Sequence, residues 1–209
     1  MSKVEFKDYD DAYDKTNNIY NLIQNTGMDI LINLKKLCDS LKEKWHGEDA
    51  PTYINTLIAV SNSLEDFFRS SVSMVVEMSD RVISVQKTVF AISHHNIVGQ
   101  KLKDDFAGKE SIEEAISKKS YKLESLKDEY DLLDNIISDY MKLKNSYVLN
   151  IEGFFDNWVD DPKKKDAEAS VESLLNRLDK YLGDMEVTRQ ALGKVVVNTE
   201  QVLEDRKWI

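Results

Sequence analysis

The sequence predicts an all-α protein built from two long antiparallel helical hairpins, arranged as a four-helix bundle or a coiled-coil-like assembly. Only two prolines and seven glycines occur in 209 residues, while 32% of the residues are charged, a composition typical of long helices. Apolar residues recur at spacings of three and four along four stretches, which we call seams, and none of these stretches alternates like a strand. Each half of the chain also carries a tryptophan shortly before its only proline.

The first helix is predicted to begin near Asp8–Asp11, because acidic residues suit the positive end of the helix dipole. Cys38, the only cysteine, follows Leu37 of the apolar seam of this helix. We expect it to be a small buried or half-buried residue rather than a reactive thiol. Counting Gly27 as a gap, the first seam has the narrow coiled-coil pattern. Its members are Tyr13, Tyr20, Ile23, Ile30, Leu34, Leu37, Leu41 and Trp45.

Residues 44–51 interrupt the pattern and predict a tight turn. Gly47 can adopt the positive φ of a helix C-cap. Asp49 can cap the next helix, and Pro51 is tolerated in its first turn. We therefore expect a helix, a short turn with Trp45 at the bend, and a second helix.

The second helix is predicted from about Ala50 to Ser93, roughly 65 Å long, and needs a partner along its whole length. Ser71 alone interrupts its seam. The members of this second seam are Leu57, Val60, Leu64, Phe67, Val75, Met78, Val82, Val85, Val89 and Ile92.

Residues 94–110 lose the pattern and predict a linker, after which Ser111 and Glu114 have capping-box spacing. The third seam has Lys144 as its single miss. Its members are Leu123, Leu126, Tyr130, Leu133, Ile137, Tyr140, Tyr147, Ile151, Phe154 and Trp158.

A second turn is predicted at Trp158–Pro162, with Asp161 as the N-cap and Pro162 at the first helical position. The fourth seam follows this turn and completes the second hairpin. Its members are Ala167, Val171, Leu174, Leu178, Tyr181, Met185, Leu192, Val195 and Val202.

The repeated order of seam, tryptophan, proline and seam indicates an internal duplication, with hairpins at 1–93 and 111–209. The second turn lacks the glycine of the first, and Lys163-Lys164-Lys165 lengthens it. We expect both tryptophan turns at the same end of the bundle. The reason is that the linker 94–110 spans about 56 Å when fully extended, slightly less than the second helix.

The turn Trp45-His46-Gly47 between two amphipathic helices resembles the WXG family, the small helical hairpins exported by bacterial type VII secretion systems. The resemblance implies a secreted factor or an export partner of another secreted protein, apparently a tandem copy in one chain. Its partners would be the secretion machinery and a co-exported substrate or toxin. Separate proteins of the family pair with their turns at opposite ends, so the resemblance keeps that arrangement open.

In this family the export signal lies near the end of the second helix, as a tyrosine or hydrophobic residue followed by an acid four positions later. Val196, Glu200 and Leu203 match this pattern loosely, with Lys207 at the next hydrophobic position. Trp208 either packs on its own bundle or anchors a partner, since buried aromatic residues dominate interface energetics.

Charge and motifs exclude other classes of function. A net charge of −10 without a basic stripe argues against nucleic acid. No phosphate loop, nucleophile elbow or Cys/His cluster predicts an enzyme or a cofactor site. Glu43 and His46 have Glu-x-x-His spacing, but a di-iron bundle needs a second such pair and two further glutamates. The carboxylates, spaced beside lysines, are interpreted as solvated helix faces.

The N-terminus from Met1 to Asp14 is acidic and has no apolar run, so no cleaved signal peptide is predicted. The apolar runs are too short for stable membrane insertion. We expect synthesis in the cytoplasm and secretion without a cleaved signal. The alternative is a coiled-coil scaffold or interaction protein unrelated to secretion, and a pore-forming toxin ranks last.

Overall fold

The structure, a computed structural model, describes residues 6–86, 125–159 and 162–206. Its α-helices are α1 (Tyr9–Leu22), α2 (Met28–Lys44), α3 (Ala50–Gln86), α4 (Leu126–Asn157) and α5 (Pro162–Arg206), and a π-helical segment, Ile23–Gly27, joins α1 to α2. We call residues 9–44, which form one continuous rod, the N-terminal arm. The described residues contain no strand, and one isolated bridge pairs Phe6 with Trp158. The predicted all-α class is confirmed.

Helix starts follow the capping rules that the sequence suggests. The Asp8 side chain accepts hydrogen bonds from the backbone N–H groups of Asp10 and Asp11, both at 3.0 Å, so α1 begins where the acidic residues predict. Ser125 and Asp128 form a reciprocal capping box at the start of α4. The linker 94–110 and the capping box predicted at Ser111 lie outside the described residues.

The four rods form a closed ring of contacts around one core. The N-terminal arm packs against α3 and α4, and α5 packs against the same two helices, so the arm and α5 lie diagonally opposite. Asn18 donates to Asn150 at 3.3 Å, and Ser40 donates to Glu129. Low arm numbers thus face high α4 numbers, and the arm runs antiparallel to α4.

This geometry places the two tryptophan turns at opposite ends of the bundle, and the same-end prediction is wrong. The first turn lies beside the start of α4, because the Lys44 ammonium is 3.1 Å from the Glu129 carboxylate. The second turn lies beside the start of the arm, where the Lys7 N–H donates to the Asn157 carbonyl at 2.8 Å. The prediction failed because it considered only the linker 94–110. Residues 87–124 separate α3 from α4, and they could reach about 125 Å, whereas α3 is roughly 55 Å long.

The predicted seams form the core wherever their side chains are described. Most members of each seam are almost fully enclosed, and the half-buried members pack against the core. The buried core members include Ile23, Leu34, Leu41, Leu57, Leu64, Phe67, Val75, Leu133, Tyr140, Tyr147, Phe154, Leu178, Met185 and Leu192. The side chains of Val85, Val89, Ile92, Leu123 and Val202 lie outside the described set.

Candidate functional site

The first turn is closed by Trp45, whose side chain belongs to the core. Trp45 is 5% exposed. Its ring stacks on the Tyr53 ring, with centroids 5.6 Å apart and planes 8° from parallel. Its backbone N–H donates to the Leu41 carbonyl at 2.9 Å. Trp45 then turns into an extended conformation, with φ −90° and ψ 100°, and this change ends α2.

Gly47 does not act as the predicted C-cap. Among the described residues no glycine has a positive φ, because the helix has already ended two residues earlier at Trp45. Gly47 is exposed, and a methyl group added to it would meet no atom within 4 Å. Neither the backbone conformation nor internal packing therefore requires a glycine at this position.

α3 begins at Ala50, as predicted. The Asp49 carbonyl accepts hydrogen bonds from the N–H groups of Thr52 and Tyr53, and Pro51 lies in the first helical turn. The side chains of residues 46–49 are exposed. A shallow groove of about 310 Å³ runs along the turn beside Trp45, Gly47 and Ile54. At this turn, the polar side chains and the Gly47 backbone are therefore exposed, while the neighbouring Trp45 is buried.

Trp158, at the second turn, is 1% exposed and joins four parts of the chain. Its ring stacks on Phe155 with centroids 6.0 Å apart, and the Arg81 guanidinium lies 5.4 Å from its centroid. Phe6 pairs with it through the backbone bridge and packs against its ring. The Lys164 ammonium donates to its carbonyl at 3.1 Å. Trp158 is therefore a core residue at the other end of the bundle from Trp45.

The sequence did not predict Phe6 as part of this cluster. Phe6 is 5% exposed and lies two residues before the cap of α1, in a segment interpreted only as acidic. A lone aromatic residue just before a helix cap was the available signal. Pro162 is the first residue of α5, as predicted, whereas Asp161 lies outside the described residues. Lys163, Lys164 and Lys165 belong to the first turn of α5, so the prediction that they lengthen the connection is wrong.

The structure brings part of the predicted export signal onto a surface groove. Val196 is half-buried and lines a groove of about 700 Å³ with Tyr130, Gly193 and Val197, of which Val197 is 59% exposed. A methyl group on Gly193 would come within 3.0 Å of the Tyr130 ring, so the glycine admits that ring. Glu200 and Leu203 belong to α5, but their side chains are not described, and Trp208 lies outside the described residues.

The last turns of α5 extend past the start of α4. Gly193 lies opposite Tyr130, and the two helices are antiparallel, as the Tyr140 hydroxyl bond to the Leu178 carbonyl also indicates. Residue 126, the first of α4, therefore faces roughly residue 197 of α5. Beyond that level α5 continues to Arg206 without α4 beside it.

Two buried carboxylates are exceptions to the interpretation of the carboxylates as solvated helix faces. Glu129 is fully enclosed, with one carboxylate oxygen bonded by Ser40 and Lys44, while its other oxygen has no hydrogen-bond partner in the described part of the chain. Glu65 is 7% exposed. Burial alone would raise the pKa of Glu65, but hydrogen bonds from Lys35 and Arg69 lower it below its ordinary value. Helical spacing alone could not reveal which acids face a neighbouring helix.

The only cysteine of the chain is buried in the core. Cys38 is 3% exposed, and burial raises the pKa of its thiol to about 12, so the predicted buried role is confirmed. Among the described side chains no three His, Cys, Asp or Glu residues are placed to hold a metal ion. Within the same ranges, no helix combines the length and the apolar character that crossing a membrane requires.

Comparison of the chain with protein-family models, with curated proteins and with solved structures gives no match.

Proposed function

We propose that this chain is a non-enzymatic, WXG-like protein of a bacterial type VII secretion system, acting as a secreted factor or as the export partner of another secreted protein. The observation that carries the proposal is the first turn. There a buried tryptophan, an exposed histidine and an exposed glycine join two long antiparallel helices. Gly47 has no role in the backbone conformation or the packing of its own chain, which suits a contact with another protein.

The arrangement of the hairpins gives a second line of support. The two turns lie at opposite ends of the bundle, as they do when two separate proteins of the resembled family pair. On this proposal the second hairpin is a divergent copy that replaces a separate partner, and its turn has lost the glycine. Trp158 then retains only the structural part of the motif, because its ring is enclosed by Phe6 and Phe155.

The C-terminal part of α5 is the proposed export signal. Val196 lies at the level where α4 begins, so the segment with Glu200 and Leu203 extends past α4 and α4 does not cover it. Trp208 follows as the proposed anchor for the machinery or a co-exported protein, since buried aromatic residues contribute strongly to interfaces.

The first experiment separates recognition of the turn from stability. Gly47→Ala should leave the unfolding free energy unchanged, because the added methyl group meets no neighbour, and should reduce secretion into the medium. Gly183→Ala is the matched control, because that glycine also has open space around it but lies in the middle of α5. Secretion is measured in the native host, with and without the membrane ATPase of the secretion system. Normal ATPase-dependent secretion of Gly47→Ala would reject the turn as a recognition element.

The second experiment tests the tail. Glu200→Ala and removal of residues 204–209 should abolish ATPase-dependent secretion, or binding to the exported partner, while circular dichroism and unfolding midpoints remain those of the wild type. Folded variants that are secreted and bind as well as the wild type would exclude the tail signal. If the wild type itself never leaves the cell and binds no exported protein, the coiled-coil scaffold replaces the secretion proposal.

A further inference from the structure

The C-terminal end of α5 extends past both helices on which α5 packs. Gly193 lies against the Tyr130 ring, so the first residue of α4 faces roughly residue 197 of α5. The Tyr181 side chain hydrogen-bonds to Ser63 of α3, which is antiparallel to α5, so the first residue of α3 faces roughly residue 194. α5 nevertheless continues as a helix to Arg206. Because most helical stability in proteins comes from packing of one face, a segment that covers these last turns would stabilise them.

A groove of about 700 Å³ lies at the base of this extension. Val196, Val197 and Tyr130 supply its apolar lining, and Val197 is 59% exposed. Lys194 also lines the groove and is exposed. The groove therefore offers an accessible apolar surface beside a positive charge.

The chain enters α4 at the edge of this groove. Ser125, the N-cap of α4, has the extended angles φ −140° and ψ 161°, and Tyr130 follows it by only about 8 Å along the helix. Leu123 can lie no more than about 7 Å from Ser125, because two residues span no greater distance. The segment 87–124 lies outside the described residues, but its last residues are thus tethered beside the groove.

We propose that this groove is the docking site of the chain's own residues 121–124, with Tyr121 and Leu123 placed on Val196 and Val197. The pattern of the third seam supports this pairing. Leu123 precedes Leu126 and Tyr130 at spacings of three and four, and Tyr130 is the member of that seam which contacts α5 at the groove.

Charge and tethering favour this occupant over a separate molecule. Glu124 carries the charge opposite to that of Lys194, which lines the groove. A short tether gives an attached segment an effective concentration in the millimolar range, so a second copy of the chain at about micromolar concentration competes poorly. The docking is a contact within the chain and does not depend on the proposed role in secretion.

Disulfide trapping in the full-length protein tests the contact. With Cys38 replaced by alanine, Leu123→Cys with Val197→Cys should lose both thiols on treatment with diamide and remain monomeric. Leu123→Cys with His46→Cys is the matched control, because the first turn also lies beside the start of α4 but next to the arm, which is diagonally opposite α5. The control should react at least about tenfold more slowly. Equal rates in the two pairs would overturn the proposal, and so would a disulfide that joins two chains.

Hydrogen exchange gives a second test without engineered disulfides. Leu123→Asp should accelerate exchange of the backbone amides around Val197 by about tenfold or more, because the covering side chain is lost. Val197→Asp should likewise accelerate exchange of residues 121–124. Val187→Asp is the control, since Val187 is 55% exposed on the same helix and does not line the groove, and it should leave both regions unchanged. No response to Leu123→Asp, or an equal response to Val187→Asp, would overturn the proposal.

Discussion

Ser71, the polar residue that interrupts the second seam, forms a hydrogen bond with another helix. Its hydroxyl is fully buried and accepts a hydrogen bond from the Tyr147 hydroxyl of α4 at 2.9 Å. Tyr147→Phe leaves Ser71 without this partner and should lower the unfolding free energy by about 1–2 kcal/mol. Adding Ser71→Ala should cost less than the sum of the single changes, because both polar groups are then gone. Urea unfolding measures the cycle, and strict additivity would contradict the coupling.

A buried cysteine thiol and two buried tyrosine hydroxyls in the core make the folded protein less stable at alkaline pH. Burial raises the pKa of Cys38 to about 12 from 9.0 and that of Tyr147 to about 12 from 10.0. Burial also raises the pKa of Tyr140. The unfolded chain ionises these groups at lower pH than the folded chain does. Their contribution is therefore intact below about pH 9 and is lost as the pH rises toward 12.

We accordingly expect the urea midpoint to fall steadily above about pH 9. Tyr147→Phe should make this fall shallower above about pH 10, where the unfolded tyrosine ionises. Tyr53→Phe is the control, because Tyr53 is only half-buried. If Tyr147→Phe and the wild type show parallel curves between about pH 10 and 12, the assigned cause is wrong.

Gly27, counted in the sequence as a gap, allows α3 to approach the arm. A methyl group there would lie 3.2 Å from the Phe68 ring. Gly27→Val should therefore lower the unfolding free energy by about 1–3 kcal/mol through overpacking. Gly183→Val, with open space around it, should be neutral or slightly stabilising because valine has the higher helix propensity. Equal losses in the two variants would show that the Phe68 contact is unimportant.

At the scale of helices, the seams could be predicted because spacing of apolar residues depends only on each helix itself. The gaps in the seams could not be explained from the sequence, because each gap depends on a residue of another helix. Ser71 bonds to Tyr147 of α4, and Gly27 lies against Phe68 of α3. Lys144 is a third example, since it bonds to Asp179 of α5. The π-helical segment Ile23–Gly27 was not predicted, because spacings of three and four describe a regular α-helix and do not locate such an interruption.

The candidate site was predicted in part. The tryptophans were correctly placed at the turns, because a break between seams is visible in the sequence. The conformation of Gly47 was wrong, since helix α2 ends by extension of Trp45. The surroundings of Trp158 were missed, because Phe6 and Arg81 reach it only through the three-dimensional arrangement.

Glu129 joins the first hairpin to the second through a buried ion pair with Lys44. The Lys44 side chain is 28% exposed, and that of Glu129 is fully enclosed. Lys44→Met leaves the carboxylate buried beside Ser40 alone and should lower the unfolding free energy by about 3 kcal/mol. Changing both residues to methionine should recover much of this loss, because the buried charge is then removed.

Lys142→Met is the matched control, because it breaks a pair with Asp139 that is exposed on both sides. Its expected effect on the unfolding free energy is within about 1 kcal/mol. If urea unfolding shows similar losses of unfolding free energy for Lys44→Met and Lys142→Met, the burial of Glu129 does not make its ion pair more important for stability.

For the whole molecule, the decisive feature is that α4 begins at the same end of the bundle as α3, beside the first turn. The arm and α5 run in one direction, while α3 and α4 run in the other. The seams could not predict this arrangement, because each seam describes the buried face of one helix and not the end of the bundle at which the next helix begins. As a result, the two turns are separated by the full length of α4. The first turn is exposed, and the tryptophan of the second turn is enclosed.

Spin labels measure this separation directly. With Cys38 replaced by alanine, labels at positions 46 and 159 should be about 50 Å apart, since α4 has 32 residues at 1.5 Å each. Labels at positions 46 and 127 form the control pair and should be much closer, because the first turn lies beside the start of α4. A same-end arrangement would reverse this order, with positions 46 and 159 the closer pair. Since the opposite-end arrangement is the one that supports a fused pair of WXG-like hairpins, the reversed order would also remove that support from the proposed function.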